Sequence, residues 1–284
     1  MARSQLAIQS SVEVLAPELD LNAQLAKVVK VEETFNNCFI TTDRASEYFR
    51  WLDELRILKQ CGRVIGPRDV GKSRASRHYR QEDRKKLSYV RAWSASSSKR
   101  LFSQILKDIN HAAPTGKRVD LRPRLAGSLE LFGIEQVIID NAENLQREAL
   151  LDLKQLFDEC HVPVVLVGGQ ELDKILADFD LLTSFPTLYE FDRLEYDDFK
   201  KTLSTIEFDI LALPEASNLS CSPIFEVLAE STGGRIGLLV KILTKAVLHS
   251  LKHGFGKVDQ SILEKIASRY GRKYIPPENR NSNK

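Results

Sequence analysis

No apolar run in this sequence approaches the roughly 18 residues that a membrane-spanning helix requires. Residues 1–20 also lack the continuous apolar segment of a signal peptide. The four cysteines form no CxxC pair, and the five histidines have no metal-ligand spacing with one another or with the cysteines. These absences argue against a disulfide framework and a common zinc site, and they predict a cytoplasmic protein with reduced thiols.

The charge of the chain is unevenly distributed. The 284 residues carry a net charge of +2, and 43% of them are hydrophobic, enough for a packed core with a smaller appendage. Residues 72–124 contain 15 Lys or Arg against 4 Asp or Glu, an excess of 11 that leaves −9 for the rest. Such a run is commonly a solvated face; the alternative is a surface that binds a polyanion.

Short apolar runs alternate with helical periodicity between residues 45 and 194. The predicted strands are Arg63–Ile65, Leu87–Trp93, Gln136–Asp140, Val162–Gly168 and Leu188–Phe191. A helix before the first strand places Phe49, Leu52, Leu55 and Leu58 on one face. This alternation predicts an α/β fold in which helices cover both faces of a parallel sheet.

Strand signals stop after Phe191, and four helical segments follow. They begin near Asp197, Pro223, Ile236 and Asp259. The sequence therefore predicts four parts: an N-terminal extension at 1–44 with a short helix near 22–33, a nucleotide-binding core at 45–194, a helical lid at 195–273, and a flexible tail at 274–284.

A phosphate-binding loop follows the first predicted strand and precedes a helix, as GxxxxGK[ST] requires. Its residues are Gly66, Pro67, Arg68, Asp69, Val70, Gly71, Lys72 and Ser73. In this pattern the backbone N–H groups face phosphate oxygens, Lys72 contacts the β and γ phosphates, and Ser73 is a ligand of magnesium. The loop predicts binding of ATP with magnesium.

The stretch QVIIDNAENL supplies the second half of such a site. Asp140 ends a buried strand and is expected to hold the magnesium through water. Asn141 stands where hydrolysing enzymes commonly have an acid; it can hydrogen-bond a water but cannot accept its proton. Glu143 either faces the site or caps the following helix, and the capping role is favoured. Slow hydrolysis is the expectation, with Lys72, Asp140 and Asn141 at its centre.

With these motifs in place, the chain resembles the AAA+ ATPases that regulate DNA transposition, the TnsC, TniB and MuB group. It is most similar to the short TnsC proteins of cyanobacterial CRISPR-associated transposons that use a single-protein RNA-guided effector. The resemblance spans residues 45–273 and rests on GPRDVGKS, IIDNAENL, PVVLVGGQEL, DDFKKTL and STGGRIGLLVKIL.

The resemblance implies further roles at the nucleotide site. Gln170 is the polar side chain at the position of sensor 1, after Gly168 and Gly169, and Arg235 is the candidate of sensor 2 in the lid. Relatives commonly have Glu at the position of Asn141. They also carry arginines near the segment TSFPTLYEF that act across a subunit boundary, whereas Ser184, Phe185 and Pro186 cannot; in this chain that charge is either missing or displaced to Arg193. Both departures favour slow turnover.

The resemblance also implies a partner for the basic segment. In filament-forming relatives, positive side chains after the second strand follow one DNA strand; the corresponding residues are Lys99, Arg100, Lys117, Arg118, Arg122 and Arg124. Trp93, nearby, is expected in the core. The implied protein is a homo-oligomer on duplex DNA that meets a DDE-type transposase, a TniQ-type adaptor and an RNA-guided CRISPR effector. There are two alternatives: a P-loop motor, such as a helicase loader or a clamp loader, and a STAND-type signalling NTPase.

Overall fold

The structure, a computed structural model, describes residues 29, 33–35, 37–211 and 213–270. The short helix predicted near 22–33 lies mostly outside the described residues, and the tail predicted at 274–284 lies entirely outside them. In the described part of the chain, no helix has both the length and the apolar content to cross a membrane.

Five parallel strands form one sheet, in the spatial order β2-β3-β4-β1-β5. They are β1 Gly62–Ile65, β2 Leu87–Arg91, β3 Gln136–Asp140, β4 Val164–Val167 and β5 Thr187–Glu190. The register places Asp140, the last residue of β3, beside Arg91 on one side and Val167 on the other. The predicted α/β fold is confirmed. The strand ends differ slightly: Trp93 lies beyond the end of β2, and Phe191 lies beyond the end of β5.

Helices α1 (Asp43–Leu58) and α2 (Lys72–Glu82) cover one face of the sheet. The Thr42 hydroxyl begins α1 by accepting a hydrogen bond from the Ala45 N–H at 3.1 Å. The buried stripe of α1 consists of Ala45, Tyr48, Leu52 and Leu55. The prediction for Leu58 is wrong: its side chain is 53% exposed, because the stripe follows the spacing from Tyr48 and the helix ends at Leu58.

Four helices cover the opposite face. They are α3 Ser98–Asp108, α4 Arg118–Leu131, α5 Arg147–Cys160 and α6 Glu171–Asp178. Their apolar side chains, such as Phe102, Leu125 and Leu153, form one cluster with Val137 and Ile139 of β3. Burial on both faces explains why β3 and β4 read as continuous apolar runs.

The remaining helices pack into a separate cluster. They are α7 Tyr196–Thr205, a π-helical turn Ile206–Leu211, α8 Ile224–Thr232, α9 Ile236–Lys252 and α10 Gln260–Ala267. Phe35, from the N-terminal segment, is buried in the same cluster. The Arg74 guanidinium of α2 binds the carbonyl oxygens of Phe35 and Cys38. The segment before α1 therefore joins the helical cluster to the start of α2.

Candidate nucleotide-binding site

The phosphate loop connects β1 to α2. Gly71, the N-cap of α2, has φ 106°, a conformation that favours glycine, and no side chain caps the helix. A Cβ at Gly66 would collide with the carbonyl oxygen of Phe191. The loop geometry therefore requires both glycines and leaves the first N–H groups of α2 for an anion.

Lys72 lies within the loop. Its Nζ donates to the carbonyl oxygens of Gly66 at 2.7 Å and Pro67 at 2.6 Å. Burial lowers the pKa of Lys72, and nearby carboxylates oppose this, Glu143 most strongly and then Asp140. The ammonium therefore faces an acidic site.

Asp140 is the buried carboxylate at the end of β3, with only 2% of its surface exposed. The Tyr89 hydroxyl donates to its Oδ2 at 2.7 Å, and the Asn141 N–H donates to its Oδ1 at 3.0 Å. Burial, followed by the charge of Asp140, raises the pKa of Tyr89, so the phenol remains a donor. Tyr89 was missed from sequence because the contact depends on the β2–β3 pairing.

These residues fit a nucleotide with magnesium. The glycine-shaped loop and the free end of α2 would hold phosphates, with Lys72 as their counter-charge. Ser73 and Asp140 would hold the ion, which supplies charge neutralisation at the phosphates. Val70 is buried in the core below the loop, whereas Arg68 is exposed.

Replacing Tyr89 with Phe is expected to lower the affinity for magnesium during nucleotide binding by about tenfold, because Asp140 loses the donor that orients it. Titrating magnesium at a fixed concentration of fluorescent ATP analogue measures this. Tyr79→Phe is the matched control, since the Tyr79 hydroxyl donates to Asp53 instead. Equal effects in both variants would contradict the role of Tyr89.

Asn141 begins the short 3-10 helix Ala142–Asn144 with φ 54°. In the amide orientation that satisfies both groups, its oxygen accepts from Arg91 Nε at 2.9 Å and Nη2 at 3.1 Å. Arg91 is the last residue of β2 and was not singled out from the sequence. Asn141 is therefore occupied by a neighbouring guanidinium.

Glu143 does not take the capping role favoured from the sequence. In the described part of the chain, its Oε2 accepts a hydrogen bond at 3.4 Å from the N–H of Gly169, a residue beyond the end of β4. Together with its effect on the pKa of Lys72, this contact places the carboxylate on the side of the site. The alternative in which Glu143 faces the site is the one that the structure favours.

The two predicted sensor residues, Gln170 and Arg235, differ in their exposure and contacts. Gln170 is exposed at the N-cap of α6. Arg235 is the N-cap of α9, and its Nε donates to the Thr232 carbonyl at 2.9 Å. The residues after Arg235 reach the phosphate loop, because the Gly237 N–H donates to the Asp69 carbonyl at 2.7 Å. The segment of Arg235 therefore borders the loop.

Helix α9 is also tied to the loop by an ion pair. Lys241 of α9 lies 2.8 Å from the Asp69 carboxylate. Since Asp69 is inside the phosphate loop, α9 contacts it through both backbone and side chain.

The six predicted DNA-contacting cations have two kinds of environment. Lys99, Arg100 and Lys117 are exposed, at the start of α3 and the N-cap of α4. The expectation that Trp93 is a core residue is wrong: it is 60% exposed, and the Arg100 guanidinium lies 5.5 Å from its ring centroid. Trp93 lies beyond the end of β2, where no sheet covers it.

The other three arginines make contacts within the chain. Arg118 pairs with Asp152 at 2.8 Å, and Arg122 donates to Gln155 at 2.7 Å. Arg124 donates to the carbonyl oxygens of residues 113 and 115 at 2.8 and 3.0 Å. These contacts fix α4 against α5 and against the loop that carries Lys117.

Residues 56–176 match a family model described as the AAA domain. The chain is 29% identical over 168 residues to the Mu-like prophage FluMu DNA transposition protein B of Haemophilus influenzae. This match covers 54% of the chain and 55% of that protein, so the chain spans about half the length of this curated relative.

Solved structures show the same fold at low identity. The ORC2 protein of Aeropyrum pernix, in ADPNP–ADP complexes, has a TM-score of 0.65 at 14% identity, covering 85% of this chain and 72% of its own. The ORC1 protein of the same organism, in complex with DNA, has 0.63 at 17%, covering 81% and 66%. The RuvB Holliday junction branch migration motor of Thermotoga maritima has 0.55 at 13%, covering 81% and 70%. The fold is that of AAA+ P-loop ATPases.

Proposed function

We propose that this protein is an ATP-dependent, DNA-binding regulator of transposition that assembles on duplex DNA. The observation that carries the proposal is an intact phosphate loop in a chain that is similar to a DNA transposition protein and presents exposed cations beyond β2. ATP and magnesium bind at residues 66–73 and Asp140, and helices α7 to α10 form a lid beside them.

The DNA surface consists of Lys99, Arg100, Lys117 and Trp93. The three cations contact phosphates, which gives affinity and salt dependence without sequence readout. Trp93 provides an exposed aromatic face beside them. Arg118, Arg122 and Arg124 form a second set that reaches DNA only by exchanging contacts within the chain.

Assembly is the output of the nucleotide site. ATP stabilises a homo-oligomer, in the form of a helical filament on DNA, by binding the assembled state better than the free one. The assembly marks the target, recruits a DDE-type transposase, and meets a TniQ-type adaptor and an RNA-guided CRISPR effector in the cytoplasm. Slow hydrolysis limits its lifetime.

The DNA assignment is tested by the charge-reversed double variant Lys99→Glu/Lys117→Glu. Its affinity for duplex DNA is expected to fall about tenfold, and the slope of log affinity against log salt to become shallower by about 2, one unit for each lost phosphate contact. Fluorescence anisotropy with labelled duplexes of two unrelated sequences measures both quantities.

Lys154→Glu/Lys257→Glu is the control with the same change in net charge. These lysines are about half exposed, on α5 and after α9. The control is expected to keep the wild-type slope. An unchanged slope in the Lys99/Lys117 variant would overturn the DNA assignment and favour a signalling NTPase.

A further inference from the structure

Two positions that commonly carry polar groups in the resembling ATPases are altered together in this chain. Asn141, after Asp140, is bound by Arg91 at 2.9 and 3.1 Å. Gly168, after β4, has no side chain to offer to a nucleotide. The ends of β3 and β4 are neighbours in the sheet, so both departures border the same space.

The Glu143 carboxylate occupies that space. Its Oε2 lies 3.4 Å from the Gly169 N–H, and a Cβ added at Gly168 would lie 2.6 Å from the same oxygen. Gly168 has no positive φ, so its backbone is open to other residues. An alanine there would have to displace the side chain of Glu143 or of Leu172, which would lie 3.0 Å from that Cβ.

The same carboxylate lies beside the strand that leads into the phosphate loop. The N–H of Gly168, whose Cβ position meets Glu143, donates to the Val64 carbonyl of β1 at 2.9 Å. Since the loop after β1 holds the β and γ phosphates in a P-loop, a side chain at the end of the neighbouring strand borders the γ-phosphate position.

We infer that Glu143 is the catalytic carboxylate of this chain: it orients the attacking water and accepts its proton. The inference rests on the proposed binding of ATP. Asn141 cannot take that proton, whereas a carboxylate can. The water oxygen forms a bond to the γ-phosphorus, the bond from that phosphorus to the β–γ bridging oxygen breaks, and ADP leaves with its electron pair. The proton passes through Glu143 to solvent.

Two variants test this role from different sides. Glu143→Gln removes the charge, and Gly168→Ala leaves Glu143 in the chain but places a methyl group in its space. Both are expected to lower ATP turnover, measured with saturating duplex DNA, by about tenfold or more.

A second measurement separates catalysis from a structural role. A carboxylate beside the γ-phosphate repels ATP more than ADP. The ratio of the Kd of a non-hydrolysable ATP analogue to the Kd of ADP is therefore expected to fall about threefold or more in Glu143→Gln. Isothermal titration with each nucleotide gives this ratio without turnover.

Each variant has a matched control. Glu130→Gln removes a carboxylate that is exposed near the end of α4, and Gly127→Ala adds a methyl group where no atom lies within 4 Å. Both controls are expected to stay within about threefold of the wild type in turnover and in the ratio.

The outcomes distinguish the inference from the proposed function. If the wild-type protein binds neither nucleotide, the proposed function fails. If it binds ATP but does not hydrolyse it with or without DNA, or if Glu143→Gln keeps wild-type turnover, the role of Glu143 is overturned. Reduced turnover with an unchanged affinity ratio also overturns it, because that result indicates a structural role.

Discussion

Replacing Lys72 with Ala is expected to weaken ATP binding by about 100-fold and to abolish ATP-dependent assembly on DNA. A charge-assisted hydrogen bond contributes about 1.5–3 kcal/mol, and the upper value corresponds to about two decades of affinity. The Lys72 ammonium also binds the carbonyl oxygens of Gly66 and Pro67, so its loss removes two contacts that hold the loop. Both effects act in the same direction.

Lys241→Ala is the control for Lys72→Ala. Lys241 also contacts the loop, through the Asp69 carboxylate, but its side chain is 53% exposed and the Asp69 carbonyl keeps its bond from Gly237. Its affinity for ATP is expected to change by less than about threefold, as is usual for an exposed ion pair. Isothermal titration, with electron microscopy of DNA complexes, measures both variants. Equal losses would mean that the lysine of the loop has no special role.

Replacing Asn141 with Glu is expected to raise ATP turnover by about 100-fold once Arg91 is also replaced by Gln. The new carboxylate stands where relatives commonly have their acid. Arg91 lies 2.9 and 3.1 Å from the present amide oxygen and would pair with that carboxylate, making it a poorer proton acceptor. The single Asn141→Glu variant is therefore expected to gain only about tenfold.

Faster turnover also shortens the lifetime of the assembly. The dissociation rate is measured by adding excess unlabelled duplex to preformed DNA complexes. We expect it to be lowest for the wild type, higher for the single variant and highest for the double variant. Arg91→Gln alone is the control, because it frees Asn141 without adding an acid. No acceleration in the double variant would mean that position 141 does not face the attacking water.

The sheet and the phosphate loop could be predicted because their signals are local. Strands buried on both faces are continuous apolar runs, and all five were found within a few residues. The loop is a contiguous motif whose glycines are required by its backbone conformation, such as φ 106° at Gly71. Local patterns carry such features because neighbouring residues alone determine them.

The misses depend on contacts between distant parts of the chain. Glu143 was expected to cap a helix, and only the space at Gly168 reveals that it crosses to β4. The role of Arg118 as a DNA contact stays a prediction; what the sequence did not show is its pairing with Asp152, because that contact depends on how α4 lies on α5. Trp93 was expected in the core because aromatic residues just after a strand are more often buried, but its side chain is exposed beyond the end of β2.

The burial of Phe35 among the C-terminal helices has a consequence for biosynthesis. This side chain is synthesised before the other members of its cluster, such as Phe199 and Leu239, which leave the ribosome more than 160 residues later. Contacts that close such long loops form slowly, because chain entropy is lost before packing offsets it. The apolar cluster of the C-terminal helices is therefore completed only after the sheet has been synthesised, and the segment around Phe35 stays without that partner until then.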